Sequence, residues 1–372
     1  MASIVNNGTD NFTDKVITIK ASMDLDRLPW TPIGTSSNPF NGCFEGSGNI
    51  IEGLNVSVSS GNAGLFGYTG ETSRIKNLGI SCNSTFSGSQ YVGAISAQNE
   101  GEITLCYNKG AILSGNVCGG IVGENLPTGN ISYCYNVAQI SSSSNGGGIA
   151  GICDVTIFDC YNIGEVASNG NAGGITGTKT TIADIQNCFF ATSSSLNGSG
   201  AGDPVGMTLV SHSDLQNPTF IYYLRGNSWT EDGANLNNGY PIFLWQTLTS
   251  PEKTYTITAS IKGAGSISPS GIVSVCLDQT FTITPAECYE INNIIIDGTP
   301  LPKQDISSSY TFENITSNHT ISVEFSSSST DTIKVSFTNG GTVSIGDSTI
   351  SEGDIVICED KTFYLHQMIV IQ

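Results

Sequence analysis

The sequence predicts an all-β chain: a parallel β-helix (β-solenoid) of about six coils with a small C-terminal cap, followed by small β-rich stalk modules. Three observations predict it. One apolar motif recurs as Ile51-x-x-Leu54, Ile75-x-x-Leu78, Ile103-x-x-Cys106, Ile131-x-x-Cys134, Ile157-x-x-Cys160 and Ile185-x-x-Cys188, its final positions 24, 28, 28, 26 and 28 residues apart. A second column, Phe66, Ile95, Ile121, Ile149 and Ile175, runs in phase with the first inside glycine-rich phrases such as GGIVG and GGIAG. A period in this range marks stacked repeats. After Cys188 the pattern changes, and it changes again beyond a TSPEK linker.

Each unit reads as strand and turn, not helix. Two apolar strips separated by Gly, Asn and Ser suit short strands, and Ile, Val, Thr and Tyr outnumber helix formers. Stacking at about 4.8 Å turns equivalent residues into ladders along the axis. Alternation then sorts the faces. Cys106, Asn108, Gly110 and Ile112 share one parity, as do Cys134, Asn136, Ala138 and Ile140, and Cys160, Asn162, Gly164 and Val166. The apolar members place this parity inside, so Asn108, Asn136 and Asn162 are expected to stack at an inner bend, each amide donating to one neighbour and accepting from another. By the same alternation Tyr107, Tyr135, Tyr161 and Phe189 point outward as a candidate ligand-facing aromatic file.

The solenoid is assigned to residues 1–194 and its cap to 195–250. The cap carries one predicted helix, with Asn217 as N-cap, Pro218 at the first helical position and Gly226 as the stop. Its aromatics, Trp229, Tyr240, Phe243 and Trp245, are expected to pack on the last coil. A small β module follows at 254–326, in which Cys276 and Cys288 are placed to form a staple. Residues 331–372 begin the same pattern again, TIKVSFTNGGTVSI paralleling TITASIKGAGSISP, and break off before a partner for Cys358 arrives.

Composition bounds the function. The 372 residues carry 44 glycines and 11 cysteines, and only 12% are charged, with a net charge of −19. Between positions 77 and 178 the only Lys or Arg is Lys109, read as solvent-facing. Nucleic acid and anionic membrane surfaces need clustered cations, so neither is an expected partner. No run of 18 apolar residues occurs, which excludes a helical membrane span and direct membrane insertion by one. Cys106, Cys134, Cys160 and Cys188 come once per coil, unlike the close pairs of a zinc site, and read as buried thiols. Cys43, Cys82, Cys118 and Cys153 fall in no one column. The start, MASIVNNGTDNFTDKV, has no signal-peptide pattern, and HQMIVIQ stops mid-repeat, so the chain is expected to be a monomeric module of a longer protein.

The phrases WTPIGTSSNPFNGCFEGSGNIIEGLNV, GLFGY, GGIVGENLPTGNISYCYN and GGIAG, closed by NNGYPIFLWQ, resemble the GLUG-motif repeats of bacterial surface proteins, also found in IgA-specific metalloendopeptidases. Residues 255–325 resemble a divergent internalin-type B repeat. The resemblance implies an extracellular or cell-surface adhesin or scaffold of a bacterium, non-catalytic and without cofactor, whose partner is a host glycan or protein. The peptidase relatives carry His-Glu-x-x-His outside their repeats. Here His212, His319 and His366 lie in separate segments and form no such motif, and no Gly-x-Ser-x-Gly elbow supports a serine site.

The competing reading is a polysaccharide lyase or hydrolase on a parallel β-helix. It needs two carboxylates, or a carboxylate and a base, converging on an outer face. The coils offer Glu100, Glu102, Glu124, Asp154, Asp159 and Glu165, of which Glu124, Asp154 and Asp159 are the candidates to converge. Within the non-catalytic reading, the outward aromatics either stack on a ligand or merely cover the solenoid.

Overall fold

A computed structural model describes residues 1–191, 197–248, 255–275, 278–313, 315 and 317–327, together with the backbone of 331–335, 342–345, 348–350, 353–357 and 364–366. Cys276 and Cys358 lie outside these residues; Cys288 is disulfide-bonded. Two units separate, Met1–Glu252 and Lys253–Gln372.

The first unit is a β-solenoid of about six coils. Every described pairing among its coil strands is parallel, each strand meeting the equivalent strand of the next coil. Ile75 pairs with Ile103, Ile103 with Ile131, Ile131 with Ile157 and Ile157 with Ile185. The second column is equally regular. The amides of Ile95, Ile121 and Ile149 each donate to the carbonyl of the isoleucine one coil on, at 2.9–3.0 Å, and all are fully buried. The four column cysteines are buried free thiols, and burial pushes the Cys106 and Cys160 thiols up.

The asparagine ladder forms as expected. Asn108 Nδ2 donates to Asn136 Oδ1 at 2.9 Å, and Asn136 Nδ2 to Asn162 Oδ1 at 2.8 Å. Each side chain also closes its own bend, Asn108 accepting from Gly110 N at 2.8 Å while donating to Gly110 O at 2.9 Å. Room for the ladder comes from the GGI phrases. A Cβ on Gly148 would sit 2.3 Å from the Asn162 amide and 2.1 Å from Gly174 O. The two sequence columns therefore interlock at one corner.

The first copy of the motif differs. Ile75 lies opposite Phe44, Leu78 opposite Asn49, and Ile51 opposite Ile80. Ile51-x-x-Leu54 is thus out of register with the other five copies, which accounts for its odd 24-residue interval. Two extra residues form a bulge between Glu45 and Asn49, with Ser47 at φ +54° and Gly48 at φ +79° making the left-handed turn.

Another repeated feature carries the corner before each Leu or Cys. Asn77, Leu105, Tyr133, Asp159 and Asn187 all have φ between 48° and 54°. Asn and Asp tolerate this conformation; Leu and Tyr adopt it only because the coils above and below dictate the turn. At the other end of the unit, the helix Ala2–Asn6 inserts fully buried Val5 into the core and so covers the opening coil.

The second unit holds a small all-β core. Tyr255–Lys262 pairs antiparallel with Gly271–Val275 and parallel with His319–Ser327, which in turn pairs antiparallel with Tyr289–Ile296. Ile257, Phe281, Ile294, Ile321 and Val323 fill the space between this sheet and a three-stranded one. Asp331–Val335 and Gly353–Ile357 form a further antiparallel pair.

Candidate functional site

The aromatic file forms, but it is not available to a ligand. Tyr107, Tyr135, Tyr161 and Phe189 align in register across four coils and project away from the solenoid interior, as alternation requires. The rings stack at 5.0 Å and 11° for Tyr107 and Tyr135, and at 4.9 Å and 1° for Tyr135 and Tyr161. All four are nonetheless buried, at 8% exposure or less, beneath the segment that follows the last coil. The cap packs along the flank of the solenoid, not only on the last coil: Trp245 stacks on Tyr107 at 5.8 Å, Trp229 and Phe243 lie against Tyr135, and Phe220 meets Phe189 edge-on at 4.9 Å. Alternation identified the face correctly. It could not show that a later stretch of the same chain covers it.

The Tyr135 and Tyr161 hydroxyls along this seam are paired, while the buried indole nitrogens of Trp229 and Trp245 have no hydrogen-bond partner among the described residues. Gln246 Nε2 donates to Tyr135 Oη at 2.8 Å, Asn237 Nδ2 donates to Tyr161 Oη at 2.8 Å, and Tyr161 Oη donates to Pro241 O. Lys109, expected to face solvent, also belongs here. Its ammonium donates to Leu236 O at 2.7 Å and lies 5.5 Å from the Tyr107 ring centre. The predicted helix start is present as a short 3-10 turn, Pro218–Tyr222, with Asn217 accepting from Thr219 N at 3.0 Å and Gly226 at φ +82°.

The carboxylates divide. Asp159 is buried beneath the flanking segment, where Oδ1 accepts from Asn187 Nδ2 at 2.5 Å and from Arg225 N at 3.4 Å. It is a clasp and does not join Glu124 and Asp154. Glu165 is exposed. Glu102 faces Arg74 at 3.6 Å, and Glu100 accepts from Tyr68 Oη at 2.9 Å. Glu124 and Asp154 do approach each other. Burial raises the Glu124 carboxyl, opposed by the hydrogen bond from Gln98 Nε2 at 2.6 Å and reinforced by the Asp154 charge. Burial likewise raises Asp154 and the Tyr91 phenol beside Glu124.

In the second unit His319 Nδ1 lies 2.7 Å from Asp297 Oδ2, and its Nε2 lies 3.3 Å from Ser317 Oγ. Ser317 lies in the bend just before the strand that His319 opens, and Asp297 also accepts from Thr320 N at 2.7 Å. This exposed chain pins a turn. His212 shares a 2.6 Å hydrogen bond with Tyr240 Oη, and the His366 side chain lies outside the described residues.

An open site that sequence reasoning missed lies elsewhere on the first unit. A polar cleft of about 670 Å³ lies where the loop around Lys15 meets the corners of the early coils, at Asn41, Ser73, Glu102 and Asn130. Its residues come from four separate turns, so no contiguous motif announces it. Among the described residues no group of His, Cys, Asp and Glu could hold a metal ion, and no helix is long and apolar enough to cross a membrane.

The class these features define is a β-solenoid flanked by its own C-terminal segment. No family model, curated protein or solved structure matches the chain.

Proposed function

We propose that the chain is a non-catalytic adhesin or scaffold module displayed at a bacterial cell surface, with a host glycan or protein as partner. The observation that carries this reading is the seam: the outward file Tyr107, Tyr135, Tyr161 and Phe189 is committed to holding the flanking segment. The first unit is thereby built as one sealed body suited to spacing and presentation. Low charge and abundant hydroxyl and amide side chains support an extracellular role, and the resemblance to surface repeats points the same way. The partner is expected to meet surfaces other than the aromatic file.

The enzymatic alternative now rests on Glu124 and Asp154 alone, whose raised carboxyls share one face. Incubating the full chain with neutral and acidic polysaccharides, and assaying reducing ends and unsaturated products, separates the two. Retention of a glycan or host protein without cleavage supports the module. Product release that is lost in Glu124→Gln overturns it.

A further inference from the structure

We propose that the polar cleft is a binding site for a neutral oligosaccharide, an inference that rests on the glycan branch of the proposed function. Its floor is unusual. Ser73 is 1% exposed and its Oγ has no hydrogen-bond partner among the described residues; the buried Oδ1 of Asn130 has none either. Buried polar groups are ordinarily paired, so two such atoms bordering one cleft mark a place where a ligand completes the hydrogen bonding. The backbone keeps this floor clear, because a Cβ on Gly101 would fall 2.1 Å from Ser73 Oγ.

The lining selects the class. Asp14, Glu71 and Glu102 supply acceptors, and Lys15 and Arg74 supply donors. Three carboxylates against two cations leave the cleft net negative, which disfavours a phosphate or uronate. Lys15 is moreover engaged by Asp10. Arg74 is 70% exposed and stands 3.6 Å from Glu102, beyond a close bidentate pair, so its N–H groups are available. Val16 and Cys43 are the cleft's only apolar side chains and the lining is predominantly polar, a poor match for the side chains of a peptide. Interleaved donors and acceptors match sugar hydroxyls, each of which both donates and accepts. No aromatic ring lines the cleft, so recognition is edge-on and weak.

The test is an amide chemical-shift titration of the isotope-labelled full chain with maltotriose, cellotriose and chitotriose, and separately with trigalacturonate and inorganic phosphate. At about 10 mM ligand, above the millimolar Kd expected of such a site, at least one neutral trisaccharide should shift Ser73, Gly101, Glu102 and Asn130. Arg74→Gln and Asn130→Ala should each weaken that binding about tenfold at an unchanged thermal midpoint. Shifts from phosphate or trigalacturonate alone overturn the neutral class. Glycan binding that leaves the cleft amides unmoved sinks the site and spares the adhesion reading. If none of the three neutral sugars moves the cleft and only a host protein is retained, the saccharide site is rejected while the surface module stands.

Discussion

The phenol rings of Tyr135 and Tyr161 lie 4.9 Å apart and 1° from parallel. That distance is the separation of paired strands, so the stack follows from register and not from ring attraction alone. The two hydroxyls are met by Gln246 and Asn237, residues about 80 to 110 positions further along the chain. A file that alternation throws outward thus becomes the inner wall of a second, lateral core.

Lys109 belongs to that wall. Lys109→Ala removes the hydrogen bond to Leu236 O and the contact with the Tyr107 ring. A loss of about 1 kcal/mol is expected in urea unfolding of the full chain, where a solvent-facing lysine would show none.

The asparagine ladder should be intolerant of truncation. Asn136→Ala orphans the groups that Asn108 and Asn162 direct at it and opens the Ala138 bend in a dry interior, while Asn108 and Asn162 keep the bonds to their own bends. Each orphaned group costs about 1–3 kcal/mol, so the combined loss should exceed about 2 kcal/mol. Differential scanning calorimetry checks it; Asn136→Ser, with a hydroxyl too short to reach both coils, should recover little.

Asn187 holds the left-handed corner before Cys188, at φ 52°. It also donates to Asp159 Oδ1 and Tyr223 O, at 2.5 and 2.8 Å. Asn187→Ala should cost about 2 kcal/mol from backbone strain and lost bonds together. Asn187→Gly, which keeps the backbone at ease, should cost clearly less in the same chemical denaturation series.

Glu124 gives the chain a pH dependence of known sign. Burial raises its carboxyl above the ordinary 4.5, so the folded state holds the proton more tightly than the unfolded chain. The stability this confers is complete below the unfolded value and is lost as pH rises through the folded one. Glu124→Gln should therefore be more stable than the parent near neutral pH and show a flatter midpoint-against-pH curve from about pH 4 upward. Urea midpoints across that range decide it. A mutant curve with the parent's slope would remove Glu124 as the source.

Much of the fold was legible because a solenoid writes its period into the chain. Ile103, Ile131 and Ile157, with the Asn ladder, fix coil register from spacing alone, since a one-residue slip would turn every side chain to the other face. Three things were not legible. The bulge at Ser47 and Gly48 displaced the first copy, and only the odd interval hinted at it. Cys118 and Cys153 sit in columns that include Val92, Gly146 and Ala172, or Thr69, Asn99, Asn125 and Lys179, so no cysteine spacing could reveal them. The burial of the tyrosine file depends on contacts more than 100 residues apart, which periodicity does not encode. The left-handed corner did leave a trace, in Asn77, Asp159 and Asn187 preceding the Leu or Cys of their coils.

Replacing Tyr135 by Ala decides whether the aromatic file is a structural seam or a ligand platform. Tyr135 is fully buried among Tyr107, Tyr161, Trp229 and Phe243, and emptying such a site costs about 3–5 kcal/mol. The expected result is a lowered unfolding midpoint, with binding of any retained glycan or protein unchanged in the fraction that stays folded. An unchanged midpoint together with loss of that binding would contradict the seam.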